Sequence, residues 1–182
     1  MITKNFETIR RFFCCAVATG AGGANLDGVS VVDVTGATKY FRPYSDNSCL
    51  PAFLSANFNG YHNSTPGWRF GTGTTPPTEN DYQMESLINS GITLSNSTAT
   101  LKLENSVYKV LRVFNIKNTS NASLTISEIG YIGKQYGSAQ QKASASEIGV
   151  LYFRDVFTSP IVIAAGETVS INIYIEVPIA SE

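Results

Sequence analysis

The chain has 182 residues, which suits one domain that buries roughly 70% of its unfolded surface. Charged residues make up 15% of it and the formal net charge is −1, so no basic surface argues for nucleic acid. No apolar run reaches the eighteen or so residues of a membrane-spanning helix, and plentiful Ser, Thr, Asn and Gly suit a β-rich protein with neutral outer faces.

Lys4, Arg10 and Arg11 precede the run from Phe12 to Ala18, the outline of a signal peptide. The apolar core is at the short limit, however, and Glu7 sits among the charges. The spacing predicts instead an amphipathic helix over about 3–18, N-capped by Thr3 or Asn5, with Phe6, Ile9, Phe13, Ala16 and Val17 on one side. Gly20, Gly22 and Gly23 end it. A helix of roughly four turns is marginal alone. Residues 1–23 are therefore expected to form an arm that docks on a neighbouring subunit through Phe6, Ile9, Phe13 and Val17. The competing expectation is a helix that covers an open end of the β-domain. Cys14, Cys15 and Cys49 cannot all pair within the chain and have no zinc spacing, so they read as free thiols of a protein assembled in a reducing cytoplasm.

Residues 24–182 read as the β-domain. Val29–Thr35 is a β-branched strand closed by Gly36. A turn-rich, aromatic insertion follows at about 40–90. Its aromatics read mainly as local packing, with Tyr44, Tyr61 and Trp68 as candidate ligand-facing residues for sugar rings. Within it, the stretch Phe70–Ile88 joins a glycine–threonine loop to Pro76-Pro77. The glycines permit positive φ and the prolines remove two donors, which predicts a shaped connection outside any ladder. It lacks the Gly-Lys-Ser/Thr of a phosphate loop and the third glycine of a dinucleotide fingerprint.

Short strands recur beyond it. Ile92–Leu94 and Ala99–Leu103 alternate around an Asn96-Ser97 turn and read as a hairpin. Tyr108–Lys117 is apolar on both faces, as a central strand should be. In Leu124–Tyr131 the alternation slips at Ser127-Glu128, the signature of a β-bulge. Residues 135–146 form a polar loop, Val150–Phe157 is a strand, and Pro160 marks an edge or strand start. Ala164–Glu167 turns the chain into the clearest strand, Thr168–Val177. The sequons at Asn63, Asn96, Asn118 and Asn121 read as turn residues. These spacings predict an all-β protein, an antiparallel β-sandwich of immunoglobulin-like or jelly-roll-like kind. Leu101, Leu103, Val110, Leu111, Phe114, Leu124, Ile126, Ile171, Ile173 and Ile175 should face inward.

Nothing gathers into a catalytic or metal-binding motif. His62 is the one histidine, in a loop, and no nucleophile elbow accompanies it. Asp27, Asp33, Asp46, Asp81, Glu85, Glu128 and Asp155 are scattered without calcium-loop spacing, and Arg154-Asp155 reads as a local surface or inter-strand ion pair, worth little energetically if exposed. No cofactor is expected.

The ordered set Met1–Asn5, Val32–Gly36, the Gly71–Glu85 loop, Ile126–Gly130, Arg154–Val156 and Ala165–Glu167 resembles small structural proteins of tailed bacteriophages, above all those of gut bacteria. The resemblance implies a non-enzymatic virion component of the head-decoration, neck or tail-appendage type. Its partners would be other virion proteins, in a homo-oligomer or multicopy assembly without nucleic acid or membrane contact, made in the host cytoplasm and located in the virion. The alternative is a carbohydrate-binding or host receptor-binding module of a tail fibre.

Overall fold

A computed structural model describes residues 1–8, 29–41, 67–104, 107–136 and 147–178. It contains eight strands: β1 (Val29–Val32), β2 (Thr38–Phe41), β3 (Gly67–Gly71), β4 (Ile92–Glu104), β5 (Val107–Asn118), β6 (Leu124–Tyr136), β7 (Glu147–Ile163) and β8 (Thr168–Pro178). All pairings are antiparallel. β1 and β2 form a hairpin, one three-stranded sheet runs β3-β6-β7, and the other runs β4-β5-β8. Short connections and period-two alternation favour this arrangement, since each strand can bury one face and pair with its sequence neighbour.

One core joins the two larger sheets. Phe114, Ile116, Ile92 and Ile171 come from one, and Trp68, Phe70, Ile126, Ile129, Tyr131, Val150, Tyr152 and Ile163 from the other. Trp68 and Phe70 both meet Phe114 edge-on, with centroids 5.2 and 5.5 Å apart, the geometry that ring quadrupoles prefer. Of the expected inward residues, Phe114, Ile126 and Ile171 are buried, while Leu124 and Ile173 pack partly buried against the cluster. Leu103 does not: it is 57% exposed, one residue from the end of β4. Leu111 is half-buried and lies in a cross-strand row with exposed Thr100 and Tyr174, so it belongs to the outer face. The side chains of Leu101, Val110 and Ile175 lie outside the description.

Register corrects one further expectation and bears out another. Asn96-Ser97 does not turn the chain, because both halves of β4 pair with β5 and only the register shifts between Ser95 and Thr98. The slip at Ser127-Glu128 is a true irregularity, with the β6–β7 register shifting between Ile126 and Glu128. Gly166, at φ 79°, makes the turn from β7 into β8.

The chain's beginning belongs to this body. Thr3 caps one helical turn over residues 4–8, its Oγ1 accepting from the Phe6 amide at 3.3 Å, as an N-cap does. Thr3 Oγ1 also donates to the Leu151 carbonyl at 2.6 Å, and both amide atoms of the Asn5 side chain bond the Val32 backbone. Phe6 is 6% exposed, inside the core, with its ring 5.3 Å from that of Tyr152. Phe6 is thus removed from the expected docking stripe, because Thr3 and Asn5 anchor the turn on β7 and β1 and aim this ring inward. Ile9, Phe13 and Val17 lie outside the described residues.

Candidate functional site

Residues scattered in sequence meet on the outer face of the β3-β6-β7 sheet. Cross-strand register aligns Arg69, Gly130 and Arg154 in one row and Gly71, Glu128 and Val156 in the next. The segment 72–88 folds back over these rows: the Thr72 amide donates to the Ser86 carbonyl at 2.8 Å and the Ile88 amide to the Phe70 carbonyl at 2.9 Å. Residues 72–86 are the shaped connection that the glycine–proline pattern predicted, but Phe70 and Gly71, expected outside any ladder, pair with β6 as the end of β3.

Arg154, 3% exposed, is its centre. Its Nε donates to Glu128 Oε2 at 2.8 Å, Nη1 to Asp81 Oδ2 at 2.8 Å, and Nη2 to the Thr75 carbonyl and Glu85 Oε2, both at 3.1 Å. Glu128 is fully buried and sits in a ring of amides. Oε1 accepts from Ser86 at 2.7 Å and Gly73 at 3.3 Å, and Oε2 accepts from Glu85 at 3.2 Å beside the guanidinium. Such charge-assisted bonds are the stronger kind, and a carboxylate this deep requires them. The expected local Arg154-Asp155 surface pair is therefore corrected, while an inter-strand ion pair does form, a buried one between Arg154 and Glu128 of β6. Successive strand residues point to opposite faces, so Arg154 turns in towards the loop while Asp155 stays exposed.

The glycines have a role other than the expected one. Among the described residues positive φ occurs at Gly36, Gly67, Gly91 and Gly166, that of Gly67 being nearly extended at 158°, and neither Gly71 nor Gly73 has it. What they provide is closeness. A Cβ on Gly71 would strike Glu128 Oε1 and come within 2.5 Å of the Ser86 carbonyl; one on Gly73 would stand 2.6 Å from the Glu85 side chain. Gly130 likewise leaves room for Met84, which is buried against it.

The outer acids are tuned by the same contacts. Burial opposes ionisation of Asp81, but the Thr78 hydroxyl and amide together with Arg154 outweigh it and hold its carboxyl below the ordinary range. Thr75, through hydroxyl and amide, leads in lowering Glu85, with Arg154 assisting. For Arg154, burial favours the neutral form, yet its bonds to Asp81 and Glu128 prevail and raise its pKa. A separate charged group lies nearer the core. Burial pushes the Tyr131 hydroxyl up to about 12 against the pull of Arg112 and Arg69, and burial lowers Arg112.

Chemically, the arrangement can fix a loop. Every nitrogen of the Arg154 guanidinium has an acceptor and Glu128 has four donors, so this cluster holds no unengaged acid–base pair. Among the described residues, no three His, Cys, Asp or Glu side chains stand where they could hold a metal ion. Trp68 is 1% exposed and is corrected as a ligand-facing aromatic, being enclosed by Phe114, Tyr131 and Phe153. Tyr44, Tyr61 and His62 lie outside the described residues, as do the three cysteines. Sequence reasoning missed the joining of Arg154 with Glu128, Asp81 and Glu85. The signals present were the alternation slip at Glu128 and the Gly71-x-Gly73 spacing, both of which mark a close approach. No protein-family model, curated protein or solved structure matches the chain.

Proposed function

We propose that this protein is a non-enzymatic structural component of a tailed bacteriophage virion, built as a β-sandwich and assembling on the head, neck or tail through protein–protein contacts. β8 returns beside β5 after the β6–β7 hairpin, a Greek-key kind of return that supports the sandwich reading. The observation that carries the functional reading is the Arg154 cluster. The charged residues brought together are engaged with one another and with backbone amides, and what they accomplish is to weld residues 72–88 to the sheet. That is the economy of a building block, and it agrees with the family resemblance of the same loop. The alternative reading, a glycan- or receptor-binding module, loses Trp68 to the core.

Quantitative mass spectrometry of density-purified particles tests the proposal. The chain should be present at a constant multicopy stoichiometry per particle, rising and falling with the major head or tail protein across gradient fractions. Abundance in infected cells combined with absence from purified particles would overturn it.

A further inference from the structure

The two three-stranded sheets have four edges, and the chain treats one of them differently. An unpaired strand edge is a template for another strand, and proteins blunt such edges with bulges, prolines, lysines, shortness or a covering segment. β3 is short, and residues 86–88 occupy its free side through the Ile88–Phe70 bond and the Gly71–Leu87 bridge. β7 is covered in its first half by residues 1–3, with the Thr3 amide on the Tyr152 carbonyl at 3.1 Å and the Arg154 amide on the Met1 carbonyl at 3.0 Å. In its second half it carries exposed Pro160. β4 has the register shift between Ser95 and Thr98, and exposed Lys102.

Among the described residues β8 has none of these devices. Its pairing with β5 runs unbroken from Lys117↔Thr168 to Val107↔Pro178. It contains no lysine or arginine, one charged residue (Glu176), and proline only at its last position. Among the described residues nothing pairs with its far side. On its outer face Tyr174 is 61% exposed.

The geometry points to β8 as a self-association edge, whose partner is β8 of a second copy, antiparallel about a two-fold axis at Ile173. A closed two-fold contact requires a self-complementary surface, and the strict alternation of this strand supplies one. About Ile173, Ile171 falls opposite Ile175 and Val169 opposite Val177 on one face. Asn172 falls opposite Tyr174 and Ser170 opposite Glu176 on the other. The full strand is paired, Thr168 to Pro178, and the two copies of Glu176 stand apart at opposite ends. The product is a continuous six-stranded sheet. This inference concerns the isolated protein, so its failure and that of the virion reading are separately visible.

Sedimentation velocity across the micromolar range tests it. The unaltered protein should sediment at twice the chain mass, and a monomer throughout would overturn the proposal. Asn172→Lys with Tyr174→Lys places like charges in both central cross-strand positions and should weaken association about tenfold or more. Asn172→Lys with Tyr174→Glu places opposite charges there and should restore it. A dimer indifferent to the first pair, or one that the second pair fails to restore, refutes the Ile173 axis. Circular dichroism serves as the folding control. Hydrogen exchange on the unaltered protein provides a second measurement: the amides of 168–177 that point away from β5 should slow as concentration rises, and unchanged exchange there also overturns the proposal.

Discussion

Replacing Arg154 by methionine removes the guanidinium while keeping most of the stem's volume. Four bonds disappear, to Glu128, Asp81, Glu85 and the Thr75 carbonyl, at 2.8 to 3.1 Å. The Glu85 end is partly solvated, with its side chain 38% exposed, and contributes little in water. The weight rests on Glu128, which has no exposure and would keep only its three amide donors. Breaking a buried pair from one side costs about 3–5 kcal/mol because the remaining charge is stranded. Against a total stability of about 5–15 kcal/mol, that is a large fraction. For a chain of this size it corresponds to a fall in Tm of about 6–20 °C. Urea titration followed by circular dichroism measures the loss, and limited proteolysis should show earlier cleavage within 72–88. Glu128→Gln completes a double-mutant cycle, in which a coupling of about 0.5–3 kcal/mol is expected. A loss below about 1 kcal/mol for Arg154→Met, the range of a solvated pair, would refute the reasoning, as would strict additivity in the cycle.

Gly71→Ala should destabilise by about 1–3 kcal/mol, because its methyl group meets the Ser86 backbone, which cannot rotate away; a neutral urea midpoint would sink the close-approach argument. Asp33 and Asp81 both titrate below the ordinary 3.8 when folded. At Asp33 burial is outweighed by bonds from Thr35 and Ala37, with Lys39 assisting. The stability these groups contribute is complete above about pH 5 and is lost as the pH falls through their folded-state values, below about 4. Urea midpoints at stepped pH should therefore drop steeply on acidification and less steeply in Arg154→Met; equal slopes would exclude Arg154 from the acid response. The single tryptophan makes Trp68 a fluorescence reporter, with emission blue-shifted in the folded protein, red-shifted on unfolding and unchanged by added saccharides. Phe6→Ser should cost about 2–4 kcal/mol, visible as a lower Tm of the whole domain, whereas an unchanged melt would return Phe6 to an external interface.

Much of the strand framework was legible because a strand's own alternation reports it. Thr168–Val177 and Tyr108–Lys117 read as an alternating and a central strand and occupy those places. The slip at Ser127-Glu128 could be read for the same reason: a period of two makes one extra residue visible. Turn chemistry was equally local, as at Asn118, whose carbonyl side-chain oxygen accepts from both the amide and hydroxyl of Ser120.

What period cannot report is which face a neighbour covers and which distant residue arrives there. Leu103 obeys the alternation yet is exposed, because alternation along a strand does not report what packs on it. Asn96-Ser97 has turn residues yet sits within one strand, because β5 offers a single long partner for both halves. Trp68 and Phe6 carry side chains that suit a ligand platform or a docking stripe equally well; only the packing of Phe114 and Tyr152 against them decided for the core. The Arg154 cluster is the extreme case, joining residues 26, 69, 73 and 79 positions apart. Its members could be read along the chain as acids, an arginine and small residues, while their meeting depended on the β3–β6–β7 register. That register sets Glu128 beside Gly71 and Arg154 beside Gly130, and the loop could close over them because neither glycine has a side chain in the way.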